Sequence, residues 1–292
     1  MSSIPLTSSH HRWQLAGPDA ARYLNGQISN DVHRCTETTG IAACVCNAKG
    51  KLDGIVHVSP GSEPDHFIVD FPAELEDTLP LRLERYLIAD DAEWSDLTDS
   101  TFQIHITDTT ADIIAPLVAS LDGVVAISQA RFGALGVDVI GPIAQQSAAA
   151  DALAPIATIT LDAQELEDLR IANGAPRWGA ELTPDTLPKE VGLEPTHVSF
   201  TKGCYIGQET ISRMKTAGKV RQALCKLTTS DPVTTGMELI VEGSDKPCGT
   251  ITSVDSAGTT ALALVKRAAL ESPDAIALAT NCAKISSLTS LV

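Results

Sequence analysis

Apolar residues fall in short runs separated by turn residues, and the runs change character along the chain. Gly17-Pro18-Asp19 leading into Ala20–Leu24 marks a helix start, with a proline in the first turn. Apolar stretches at 41–46 and 52–58 flank Asn47-Ala48-Lys49-Gly50, which predicts two strands joined by a turn. His66–Phe71 predicts another strand. Leu75, Leu79, Leu83 and Leu87 recur every four residues on one helix face, and Pro80 imposes a kink or a late start there. The Ser8-Ser9-His10-His11 segment reads as flexible terminus.

Beyond residue 100 the pattern alternates. Phe102–Thr107 predicts a strand, 110–121 a helix, Val124–Ser128 and Leu135–Ile140 strands, and 143–153 a helix. Strand, helix, two strands, helix is the order of a ferredoxin-like split βαβ unit. Residues 162–172 predict a further helix closing on Asn173-Gly174. From about 220, short apolar stretches at 220–227, 237–241, 247–254 and 259–265 alternate with Gly, Pro, Asp and Ser, the spacing of a small β-barrel or sandwich. The expectation is an α+β fold with a boundary near Gly218, dividing 1–217 from a β-domain at 218–292.

Composition narrows the function. The chain has 292 residues, 43% of them apolar, with 21 Lys and Arg against 37 Asp and Glu, a net charge of −16. That length suits more than one packed domain. No run approaches the roughly 20 apolar residues of a membrane span, and Met1–Trp13 has no apolar signal core, so a cytoplasmic protein is expected. The acidic balance argues against nucleic-acid and anionic-membrane partners. Seven scattered cysteines without metal spacing predict reduced thiols and no metal site. Cys44 and Cys46 read as core residues sharing one strand face. The seven histidines form no metal-spaced pair, and His57 and His105 read as satisfied sheet residues. Neither a Gly-x-Ser-x-Gly elbow nor a phosphate-binding Gly-Lys-Ser/Thr loop is present.

The chemistry concentrates at Lys202-Gly203-Cys204-Tyr205-Ile206-Gly207-Gln208-Glu209 and the residues after it. Lys202, Arg213, Lys215, Lys219 and Arg221 stand against Glu209 alone, a local balance of +4 that leaves −20 for the rest of the chain. Such an island reads as an anion site. Gly203 and Gly207 bracket a turn. Gln208–Thr216 predicts a short helix in which Glu209 and Arg213 pair across one turn and Gly218 lies just beyond the end. Cys204 then lies shortly before a helix N-terminus and two residues from Lys202, a setting that favours a reactive thiolate.

This octapeptide resembles the signature of the YgfZ family of folate-binding proteins, relatives of the aminomethyltransferase (T-protein) of the glycine cleavage system. Gly17–Asp31 resembles the family's N-terminal motif and Asn47–Lys51 its hairpin. The resemblance implies a three-lobed ring of the T-protein type, with α/β lobes, a C-terminal small β-barrel and a central tetrahydrofolate cavity. It also implies a role in assembling or repairing iron–sulfur enzymes, which would be transient partners of a monomer. By the same resemblance Cys204 is the reactive residue. Lys202, Gly203, Tyr205, Gly207, Gln208, Glu209, Asn25 and Asp31 attend the folate, while Arg213 belongs to a cation cluster suited to the carboxylates of a folate's glutamate tail, single or polyglutamylated. One departure weighs against aminomethyl transfer. The transferases carry a Glu in Leu-Arg-x-Glu-x-Gly, whereas Leu169-Arg170-Ile171-Ala172-Asn173-Gly174 has none. Asp77, near the transferases' catalytic Asp in an ungapped reading, reads as a surface acid. The alternatives to a folate-binding iron–sulfur factor are a folate-dependent aminomethyltransferase or amine demethylase, and a non-catalytic scaffold with Cys204 buried.

Overall fold

The computed structural model describes residues 1–217, 220–271, 276–278 and 283–292; Gly218, Lys219 and Cys282 lie outside the described residues. Two compact units are present, one of residues 1–48, 53–162 and 196–208, the other of 49–52, 163–195 and 209–292. In chain order the elements begin with β1 (Ser2–Pro5), β2 (His10–Ala16), α1 (Ala20–Gln27), β3 (Ile41–Cys46), β4 (Leu52–Pro60), β5 (His66–Pro72), α2 (Leu79–Glu84) and β6 (Glu93–Asp96). They continue with β7 (Thr101–Thr107), α3 (Ala111–Val118), β8 (Val125–Arg131), β9 (Ala134–Pro142), α4 (Gln146–Leu153) and β10 (Ile159–Thr160). After these come α5 (Ala163–Asn173), α6 (Glu194–His197), α7 (Gln208–Ala217), β11 (Gln222–Thr229), β12 (Glu238–Val241), β13 (Pro247–Val254), β14 (Thr260–Lys266), β15 (Ile276–Leu278) and β16 (Ile285–Ser290).

The first sheet has the order β10-β1-β7-β9-β8. The split βαβ pattern expected from 102–153 is there, with β1 intercalated between β7 and β10, antiparallel to the former and parallel to the latter. Strand alternation sorts β7 onto two faces. Phe102, Ile104 and Ile106 pack with Ile114, Val118 and Leu153 of α3 and α4 in an apolar core, while Gln103 and His105 are equally buried but join a polar layer.

The second sheet has the order β3-β4-β5-β2-β6. The segment expected to be flexible is ordered here: His10 and His11 open β2 and pair with Pro72 and Phe71 of β5. Alternation in His10–Ala16 is too short and too polar to announce a strand, but cross-strand pairing to β5 and β6 fixes it. Pro80 falls in the first turn of α2, where its missing N–H costs nothing, so this helix starts late.

The second unit carries a six-stranded antiparallel sheet ordered β15-β12-β13-β14-β11-β16, whose edge strands touch so that it forms a nearly closed barrel. Leu227, Leu239, Ile251, Ala261 and Val265 fill its core. Helix α5 is tied to this barrel through a buried polar network. Arg170, 3% exposed, donates to Glu181 at 3.2 Å and to Ser253 of β13 at 2.6 Å, and Ser253 donates to Glu181 at 2.5 Å. The segment lacking the transferases' carboxylate thus turns its arginine to an acid eleven residues downstream.

Candidate functional site

Residues 202–208 form an irregular stretch in the first unit, anchored to the end of α1. The Lys202 ammonium donates to the carbonyl oxygens of Asn25 at 2.5 Å, Ile28 at 2.8 Å and Asn30 at 2.9 Å. A protonated lysine has three N–H bonds, and all three are used. These acceptors lie at and just beyond a helix C-terminus, where carbonyls lack intrahelical partners. The Tyr205 ring stands 5.0 Å from the same nitrogen. Burial pushes this ammonium down to about 8, against the pull of Asp31, while the carbonyl cage favours the charged form. The ammonium therefore has no donor left for a folate carboxylate or for the neighbouring thiol. The structure gives Lys202 an anchoring role, because the orphan carbonyls of α1 take all its donors.

Cys204 is exposed. Open space surrounds Gly203, whose position would admit a Cβ without contact. Gly207 adopts φ +88°, a backbone conformation that L side chains rarely enter, which lets the chain turn into α7. Ile206 donates its amide to the Gly26 carbonyl at 3.2 Å, a second tie to α1, and Gln208 reaches back to the Gly203 carbonyl at 3.5 Å. Tyr205 is buried. The result is a thiol on an accessible loop whose neighbours are fixed on both sides.

Asn25 and Asp31 serve local structure. Asn25 accepts the Val32 amide at 3.1 Å through its side chain. Asp31 accepts the His33 amide at 3.1 Å and pairs with the His33 ring at 2.9 Å; despite partial burial these bonds hold its carboxyl below the ordinary range. Glu209 and Arg213 pair at 2.5 Å across a turn of α7, with side chains 88% and 67% exposed. Asp77 is an exposed acid in a turn.

Sequence reasoning passed over Asn30, the hub of this region. Its side chain donates to the Ala42 and Thr196 carbonyls at 2.8 and 3.1 Å and accepts the Asp31 amide at 2.9 Å, while its own carbonyl receives Lys202. An Asn within the N-terminal motif was the available signal. Also missed was a polar layer joining both sheets of the first unit. Arg131 at the end of β8 donates to Asp138 of β9 at 2.7 Å and to Asp70 of β5 at 2.5 Å, all three side chains being about 1% exposed or less. His105 bonds Asp138 at 2.7 Å. His57 Nδ1 accepts from Arg131 at 3.0 Å, which fixes the neutral tautomer with its proton on Nε2, since a guanidinium only donates. Burial raises the Asp70 carboxyl, whereas at Asp138 Arg131 and His105 outweigh burial and depress it. His57 and His105 are sheet residues as expected, but only in part satisfied: His105 bonds Asp138 through Nδ1, while its buried Nε2 has no hydrogen-bond partner among the described residues. Cys44 and Cys46 are buried, as expected of core thiols.

In the second unit, the hairpin tip Lys49–Leu52 rests on α7, where Gly50, at φ +74°, lies so close to Thr210 that an added Cβ would sit 3.0 Å from it. Lys49, Lys51 and Arg221 line a cavity of about 640 Å3 beside this contact.

The fold is that of the aminomethyltransferases. The glycine cleavage aminomethyltransferase T of Bartonella henselae superposes with a TM-score of 0.77 at 16% identity, covering 91% of this chain and 78% of its own. No protein-family model matches the chain. Among curated proteins, the tRNA-modifying protein YgfZ of Colwellia psychrerythraea is 28% identical over 220 residues, 72% of this chain and 66% of the relative. The mitochondrial iron–sulfur cluster assembly factor IBA57 homolog of Yarrowia lipolytica is 26% identical over 263 residues, 76% of this chain and 54% of the relative. The resemblance to YgfZ is borne out at the level of the whole sequence: this chain is similar to the YgfZ and IBA57 proteins. It spans 66% and 54% of the lengths of these two relatives.

Proposed function

We propose that this protein is a tetrahydrofolate-binding factor supporting the assembly or repair of iron–sulfur enzymes, with Cys204 as its reactive group. The observation that carries the reading is the exposed thiol held on a loop tied to α1 through Lys202 and Ile206. The IBA57 name supports the iron–sulfur part. A tRNA-modifying role reaches this chain more readily through a client enzyme than through direct RNA contact, because a net charge of −16 opposes phosphate binding.

A folate bound here would not be met by Lys202. Lys202 is spent on carbonyls, so a folate carboxylate must find another cation. In the second unit, Arg213 is held among the described residues only by an exposed pair with Glu209, and such pairs are worth only about 0–1 kcal/mol. Bound tetrahydrofolate supplies a carrier for one-carbon groups. The chain's own contribution is a sulfur nucleophile held accessible, with Lys202 and Tyr205 fixing the backbone on either side of it. The exposed sulfur disfavours the scaffold reading with a buried thiol. The absent carboxylate at 169–174, where Arg170 instead binds Glu181, disfavours aminomethyl transfer.

Calorimetry with tetrahydrofolate on the wild type tests the folate part; absence of binding removes it. Complementation of iron–sulfur enzyme activity by Cys204→Ser tests the thiol. A variant that performs as well as wild type overturns its role.

A further inference from the structure

The hairpin tip Lys49–Leu52, residues 185–190, α7 and the entry to β11 surround the 640 Å3 cavity of the second unit. Its volume lies within the range of about 300–1,000 Å3 usual for small-molecule pockets. Three cations, Lys49, Lys51 and Arg221, are drawn to it from segments 170 residues apart in sequence. Neither the hairpin motif nor the cationic island forms this cluster alone; the fold assembles it. In a chain with 37 acids against 21 bases, that convergence is against the composition.

Against these three cations the cavity sets two acids, Asp185 and Glu190, which leaves a balance of +1. Glu190 is 5% exposed, accepts the Leu187 amide at 3.3 Å, and takes further bonds from the Gln222 side chain and the Arg221 amide. Burial raises its carboxyl, against the pull of Arg221, and these three hydrogen bonds hold it in place in the cavity wall. Asp185 pairs with Lys51 at 2.5 Å, but its side chain is 91% exposed, so an incoming anion displaces it at small cost. Met214 and Val220 give the wall an apolar stripe that suits methylene or ring atoms.

We propose that this cavity binds a small multivalent anion, a chain of carboxylates or of phosphates. The proposal does not depend on the folate reading. Two sources share this chemistry, a γ-linked glutamate chain and a polyphosphate chain. Calorimetric titration of the full chain with tri-γ-glutamate and with inorganic tripolyphosphate distinguishes them by which binds more tightly. Saturable binding of at least one probe is expected, weakened about tenfold by Lys49→Gln or Arg221→Gln, as for loss of one charge-assisted contact. Lys246→Gln, an exposed cation that does not line the cavity, is expected to bind as wild type does. Two results overturn the proposal: neither probe binding the wild type, or Lys246→Gln weakening binding as much as Arg221→Gln. Wild type that binds a probe yet fails to bind tetrahydrofolate upholds this site and rejects the folate reading.

Discussion

The Lys202 ammonium lies 2.9 Å from the carbonyl oxygen of Asn30, across 172 residues of chain. With the Asn25 and Ile28 carbonyls it makes a three-sided cage that converts the frayed end of α1 into the seat of the cysteine loop. Replacing this lysine by methionine leaves three acceptors without a donor. Lys202→Met is expected to lose about 3 kcal/mol of unfolding free energy in urea. In Lys202→Ala, added methylammonium is expected to raise the melting temperature of the variant but not of the wild type. An unshifted urea midpoint for Lys202→Met would mean that the cage anchors nothing.

Exposure separates the thiols. Cys204 is exposed, Cys35 is half-buried, and Cys44, Cys46, Cys225 and Cys248 are buried. Burial also pushes the Cys35 thiol up to about 12 and that of Cys225 to about 11. Among these six, brief treatment of the native protein with iodoacetamide is expected to label Cys204 first, read by peptide mass mapping. Earlier labelling of Cys35 would place the accessible sulfur elsewhere.

His57 gives the fold an acid-sensitive element. Burial, aided by the Arg131 guanidinium, holds its imidazole well below 6.5. A base whose folded pKa is depressed takes up its proton mainly in the unfolded state, so stability is intact above about 6.5 and falls as pH drops below it. The slope from one such group is about 1.4 kcal/mol per pH unit. Urea midpoints between pH 7 and pH 5 are expected to fall in the wild type and to fall less steeply in His57→Gln. Parallel curves would exclude His57 as the source.

Breaking the acid that joins α5 to the barrel leaves a buried guanidinium short of a charge partner. Glu181→Ala is expected to cost about 3–5 kcal/mol, the range for a buried pair deprived of one member. Chemical denaturation measures it. A loss below about 1 kcal/mol would show that Glu167, the other acid on Arg170, suffices.

Periodicity disclosed most of the architecture, because amphipathic strands and helices bury one face each. Phe102, Ile104 and Ile106 alternate with polar residues, and that alternation located β7 and the unit around it. The intercalation of β1 was not legible, since Ser2–Pro5 carries a single buried apolar residue, Ile4, and its place is set by partners about 100 residues away. At the site, the octapeptide located the thiol, and the helical spacing that follows it located the Glu209–Arg213 pair. It did not disclose the cage around Lys202, whose acceptors are main-chain carbonyls that no residue type encodes. Arg131, Asp70 and Asp138 escaped notice for a related reason: each is an ordinary charged residue until two sheets bring them together.

The chain passes between its two units five times, at 48/49, 52/53, 162/163, 195/196 and 208/209. No single cut, whether by a protease or by shortening the gene, can yield either unit as an uninterrupted polypeptide. Recombination that swaps one half for a foreign counterpart would have to splice at all five junctions at once, so the two halves are bound to be inherited, synthesised and degraded as one object.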